Sequence, residues 1–133
     1  MVRQAALNLV VVLVTVGSVF AAGPRRLALV VGVGHGAADQ VQLKHAERDA
    51  SKLAHVLGEL GGVKPDDLRL LTQSPRAEDV LSALDRMDAQ AVAEREAGRE
   101  VRLLFYYSGH ATVDHLELAG SRRALKALRE RLR

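Results

Sequence analysis

Short apolar runs that alternate with segments of helical spacing predict an α/β domain, a three-layer αβα sandwich with a mainly parallel sheet. Two further observations point the same way. The apolar runs are nearly continuous rather than alternating, as strands buried on both faces are. Glycines, prolines and small polar residues fall between the runs, where helices start and stop.

Leu27-Ala28-Leu29-Val30-Val31-Gly32-Val33, ended by Gly34 and Gly36, reads as the first buried strand. From Leu43 to Leu60 the apolar residues Leu43, Ala46, Ala50, Leu53, Ala54, Leu57 and Leu60 keep helical spacing. Lys44, Glu47, Arg48 and Lys52 fall on the other side. Gly61-Gly62 stops this helix as a C-cap would. The turn Lys64-Pro65-Asp66 introduces a second strand, Asp67 to Thr72. Ser74-Pro75 reads as an N-cap followed by proline at the first helical position. The helix it opens sets Val80, Leu81, Leu84, Met87, Ala91 and Val92 on one side and closes at Gly98. Glu100 to Tyr107 is the third strand and runs into Ser108-Gly109-His110-Ala111. A short extended piece, His115 to Leu118, precedes Gly120-Ser121, and from Arg122 to Arg133 the pattern is helical again. No internal repeat, low-complexity segment or linker divides the chain.

The 133 residues suffice for one domain. Residues 1–22 read as an export signal: one positive charge at Arg3, an apolar run from Ala5, and small residues before a polar boundary at Pro24-Arg25-Arg26. Cleavage is expected after Ala21 or Ala22. An uncleaved membrane anchor is the competing reading, since roughly 18 apolar residues approach the length that spans a bilayer. Either way the remainder is expected outside the cytoplasm, touching a membrane only if the segment is retained. The chain contains no cysteine, so it forms no disulfide and supplies no thiol of its own. A net charge of +3 with interleaved signs, two Tyr, two Phe and no Trp gives nucleic-acid binding little support.

Ligands of open parallel sheets bind beyond the carboxyl ends of the strands. Two loops leave such ends. Gly32-Val33-Gly34-His35-Gly36-Ala37 matches the dinucleotide fingerprint by letter. The helical spacing, however, starts only near Leu43, and Thr72-Gln73 stands where an acidic residue is expected at the end of the second strand. Nucleotide binding therefore stays open only as an alternative. The other loop puts the imidazole of His110 at the sheet edge beside a glycine, where it can act as acid or base near neutral pH. His45 and Asp49, four apart on one helix face, could share a metal, but His110 and His115 are too irregularly placed to complete a site. No metal or cofactor is expected. Ser108 and His110, two apart in one loop without a strained nucleophile elbow, do not read as a serine-nucleophile pair. Arg122, Arg123, Lys126, Arg129, Arg131 and Arg133, against Glu130 alone, read as a solvated face.

Leu29-Val30-Val31-Gly32, Ala46-Glu47-Arg48-Asp49-Ala50 and Phe105-Tyr106-Tyr107-Ser108-Gly109-His110 together resemble the caspase and metacaspase family, from about Arg26 to the end. The resemblance implies a cysteine-type endopeptidase in which a dyad histidine, here His110, assists a thiolate attacking the scissile carbonyl. It implies that the backbone N–H of Ala111, where glycine is usual, stabilises the oxyanion. It also implies that Asp49 helps to bind a basic side chain of a peptide or protein substrate, with Ser108 a neighbour of the site. The family's cysteine lies at the end of a further strand, and none is present in this sequence. Residues 26–133 are thus expected to be the N-terminal part of such a domain, inactive alone. The alternatives are a non-enzymatic pseudopeptidase that binds peptides or a partner, and a nucleotide-binding module using Gly32–Ala37. Without further strands, Glu100–Tyr107 would be an apolar sheet edge, and such edges recruit other chains.

Overall fold

The computed structural model describes residues 23–35, 38–119 and 121–131. The predicted export signal therefore lies outside the described residues, as do Gly36 and Ala37 of the glycine loop. The elements run β1 (Arg25–Gly32), α1 (Ala46–Glu59), a 3-10 turn (Pro65–Asp67), β2 (Leu68–Leu71), α2 (Ala77–Glu96), β3 (Val101–Ser108), β4 (His115–Leu118), β5 (Ser121–Ala124) and α3 (Leu125–Arg131). Among the described residues no helix is long and apolar enough to cross a membrane.

The sheet has the order β2-β1-β3 and is parallel throughout. β1 is central, which is why its apolar run is unbroken: Leu27 to Val31 are essentially inaccessible. Because side chains alternate along a strand, the run serves two cores. Leu27, Leu29 and Val31 pack with Val80, Leu84, Met87 and Ala91 of α2 and Leu128 of α3. Val30 packs on Ala50 and Ala54 of α1. The helices thus lie on both faces, as the three-layer prediction requires. The chain's handedness explains the arrangement. From β1 it steps one way to β2, and from β2 it returns past β1 to β3. Right-handed crossovers in opposite directions put their helices on opposite faces.

The amino edge is tied by charge. Arg25, opening β1, holds Asp67 with two bonds, Nε–Oδ2 at 3.0 Å and Nη2–Oδ1 at 2.6 Å. It also reaches Glu94 near the end of α2, which Arg99 grips from beyond the helix. These bonds hold the Glu94 carboxyl down at about 2, Arg99 contributing most, then burial opposing it, then Arg25.

Three element boundaries depart most from the sequence reading. α1 starts at Ala46 rather than Leu43, because the Leu43 amide bonds the Gly34 carbonyl at 2.8 Å and is held in the loop. α2 starts at Ala77 with Arg76 as N-cap, not at Ser74-Pro75. Gln73 and Ser74 both have positive φ, 61° and 60°, so no helix can include them. The Asp79 carboxylate instead receives the Arg76 amide at 2.8 Å. Gly98, at φ 75°, closes the helix as anticipated. Arg122–Ala124 is not helical: β5 pairs antiparallel with β4, and only from Leu125 does the chain wind. The helical spacing of that stretch is outweighed by a hairpin that gives His115–Leu118 a backbone partner.

Candidate active site

The order β2-β1-β3 makes the gap between the carboxyl ends of β1 and β3 a topological switch point. There the chain leaving β1 turns away toward α1, the place where open parallel sheets hold their ligands. β1 and β3 stay in register to the last pair, Gly32 with Ser108. The Val33 amide then bonds the Ser108 carbonyl at 2.8 Å. The two predicted loops therefore leave the sheet side by side.

His110 is partly exposed, and its Nε2 lies 2.6 Å from the carbonyl oxygen of Val41 in the β1–α1 loop. A carbonyl can only accept, so Nε2 carries the proton and donates it. The other ring nitrogen, Nδ1, is then left to take a proton from a reacting group. The main chain of His110 is fixed from the other side. Its carbonyl accepts the Glu117 amide at 3.0 Å and the Tyr107 hydroxyl at 2.7 Å. The same hydroxyl sits 2.6 Å from the Glu117 carbonyl, so one proton serves two acceptors. Burial, reinforced by the Glu117 charge, pushes the Tyr107 hydroxyl up to about 12. Gly109 is dictated by this clamp, since a Cβ there would lie 2.4 Å from the Tyr107 oxygen.

The Glu117 amide to the His110 carbonyl, and the Thr112 amide to the His115 carbonyl at 2.9 Å, flank the antiparallel bridge Ala111–Leu116. Ala111 is thus a non-hydrogen-bonded partner in that bridge, and its own N–H points away from the hairpin. Ala111 is exposed. Ser108 contributes its carbonyl to sheet continuation rather than a side chain to His110.

Asp49 is exposed in the first turn of α1, whose start lies against Gly32 at the same sheet edge. Among the described residues it shares no hydrogen bond or ion pair with His110. Gly32 itself serves close packing: a Cβ would fall 2.7 Å from the Ala50 Cβ and 2.8 Å from the Ala46 carbonyl. α1 begins at Ala46, well past the glycine loop. Among the described residues no three His, Asp or Glu side chains come together as a metal site. A cleft of about 700 Å³ lies at the opposite edge around Arg25, Asp67, Glu94 and Arg99, and its charged groups are largely occupied with one another.

Two residues of the site escaped sequence reasoning. Val41 acts through its carbonyl, which no side-chain pattern reveals. Tyr107 offered a signal, since a tyrosine on the inward face of a strand must find a partner for its hydroxyl.

A parallel sheet with helices on both faces, and an imidazole bonded to a backbone carbonyl beside its switch point, defines the chain as an α/β domain. The sequence profile of the caspase domain matches residues 25–126, so the chain belongs to the caspase-domain family of peptidases. Among curated proteins no significant match is found.

Proposed function

We propose that this chain carries the histidine half of a cysteine-peptidase site, with His110 as the general base that takes a proton from a thiol. The observation that carries the reading is the Nε2 bond to the Val41 carbonyl, which leaves Nδ1 as the basic atom at this sheet edge. In this reading the freed thiolate attacks the scissile carbonyl of a peptide. The outward N–H of Ala111 meets the developing oxyanion, and the imidazolium then returns its proton to the leaving amine. Asp49, exposed on the same edge, is proposed to attract a basic side chain of the substrate, while Ser108 only helps to seat the loop. The thiol must come from outside these 133 residues, which contain no cysteine. That absence equally favours a second reading, in which the chain alone binds peptides without cutting them.

The test is complementation. The purified chain should leave fluorogenic peptides intact, and fusion to a cysteine-bearing segment of a related domain should restore cleavage. In the fusion, His110→Ala should lower turnover by about a hundredfold or more with unchanged circular dichroism. A folded His110→Ala fusion that keeps full activity would sink the assignment. Saturable peptide binding by the unfused chain, without turnover in any fusion, would favour the second reading.

A further inference from the structure

β4 is held along both of its edges. On one side it pairs with β5, from His115 with Ala124 to Leu118 with Ser121. Residues two apart in a strand send their amides the same way, and Glu117 and Ala119 send theirs to the other side. The Glu117 amide donates to the His110 carbonyl at 3.0 Å, and the Ala119 amide donates to the Pro75 carbonyl at 3.1 Å. The piece of strand that joins these two bonds spans about 7 Å. Leu116 and Leu118, buried in the core shared with α2, leave it little room to shift. A short, stiff link thus runs from the β2–α2 loop to the main chain of His110.

The far end of that link is strained. Gln73 and Ser74 are exposed and left-handed, at φ 61° and 60°, a conformation unfavourable to any residue with a Cβ. Such residues persist where their surroundings over-determine them. Here Pro75, directly after the pair, is buried. The alternative for Ser74 is an extended backbone, because a following proline keeps a residue out of the right-handed helical region. An extended Ser74 would swing Pro75, and its carbonyl would leave Ala119.

We infer that Ser74 is a positioning residue for His110. Its left-handed backbone sets Pro75, Pro75 holds the end of β4, and β4 holds the His110 main chain. Ser74 takes no part in the chemistry. Its bearing on catalysis rests on His110 being the base, whereas the placement of His110 does not.

The test uses the unfused chain, so it reads where His110 is held and not what it does. Ser74→Val brings in a β-branched residue, for which positive φ is an outlier. Gly98→Val imposes the same penalty at φ 75° near the amino edge, where a Cβ would meet nothing within 4 Å. At global stabilities matched with urea, Ser74→Val should speed hydrogen exchange of the Glu117 and Ala119 amides about tenfold over Gly98→Val. It should also shift the His110 imidazole nitrogen resonances, which report the bond to the Val41 carbonyl, while Gly98→Val leaves them in place. Ser74→Gly acts in the opposite sense and adds no strain, so exchange at both amides should slow about threefold. Ser74→Asn, which tolerates left-handed backbone, should keep the wild-type His110 resonances. Equal exchange in the two valine variants would reduce Ser74 to an ordinary contributor to stability and overturn the inference. A loosened Ala119 amide with the Glu117 amide and the His110 resonances unmoved would overturn it too, as would Ser74→Gly exchange no slower than wild type.

Discussion

Replacing Tyr107 with Phe removes a single oxygen from the clamp that fixes His110. The hydroxyl reaches the His110 and Glu117 carbonyls at 2.7 and 2.6 Å, but it has one proton to share between them. The His110 carbonyl keeps the Glu117 amide as a partner after the change. The loss is therefore that of one shared hydrogen bond, about 1 kcal/mol, and a melting point lower by roughly 3 to 6 °C. The pH dependence is more diagnostic. Tyr107 is raised from 10 to about 12, chiefly because burial disfavours the charged form and then because Glu117 repels it. A group raised on folding gives its full stabilisation below its unfolded value, and the contribution fades as pH rises through the folded one. Wild type should therefore lose stability between pH 10 and 12 to an extent that Tyr107→Phe does not. Urea titrations at pH 9, 10 and 11, followed by circular dichroism, measure that difference. Gly109→Ala adds a check, since its Cβ would displace the same hydroxyl. Its cost and that of Tyr107→Phe should then sum to more than the double variant loses. Identical alkaline slopes for wild type and Tyr107→Phe, or strict additivity with Gly109→Ala, would refute the clamp.

Two further tests address the frame around the site. Gly32→Ala forces a methyl group against the Ala50 Cβ and the Ala46 carbonyl, so it should cost about 1–3 kcal/mol in chemical denaturation and loosen α1. At acid pH the Glu94 carboxyl, held down from 4.5 to about 2 mainly by Arg99, stabilises the fold fully above pH 4.5 and loses that contribution toward pH 2. Glu94→Gln should therefore flatten the acid limb of a stability–pH profile between those values, and an unchanged limb would show the network to be inert.

Most of the frame was legible because its signals are local and repeated. β1 declared itself by an apolar run serving two cores, and Gly98 ended α2 by the left-handed turn that glycine tolerates. The misread segments are those decided at long range. Ser74-Pro75 carries a sound local capping signal, yet the left-handed pair Gln73-Ser74 delays the helix. Buried Pro75 instead offers its carbonyl to the Ala119 amide at 3.1 Å, across 44 residues of chain. Arg122–Ala124 has helical spacing but finds a strand partner in β4. At the candidate site, the position of His110 just beyond β3 was legible from the apolar strand before it. The Val41 carbonyl was not, since any residue carries one and only the fold brings it near.

That carbonyl bears on which nucleophile the histidine can serve. In a serine triad the imidazole is oriented by a buried carboxylate, which also stabilises the imidazolium formed when a weakly acidic hydroxyl gives up its proton. Val41 supplies orientation and tautomer, but its carbonyl carries no full negative charge. A base supported in this way suits a thiol, which is partly ionised near neutral pH and needs less help than a hydroxyl. Ser108 is poorly placed to be that nucleophile: it ends β3, its carbonyl is engaged by Val33, and the clamp on the His110 carbonyl holds the intervening Gly109 in a tight turn. In the proposed reading the nucleophile is therefore a sulfur that arrives from another strand, at the Nδ1 side of His110. A carboxylate is the group to add if this argument is to be challenged. If Val41→Asp in an active fusion left turnover with thiol intact but produced measurable turnover through Ser108, the preference for sulfur would not be a property of the histidine's support.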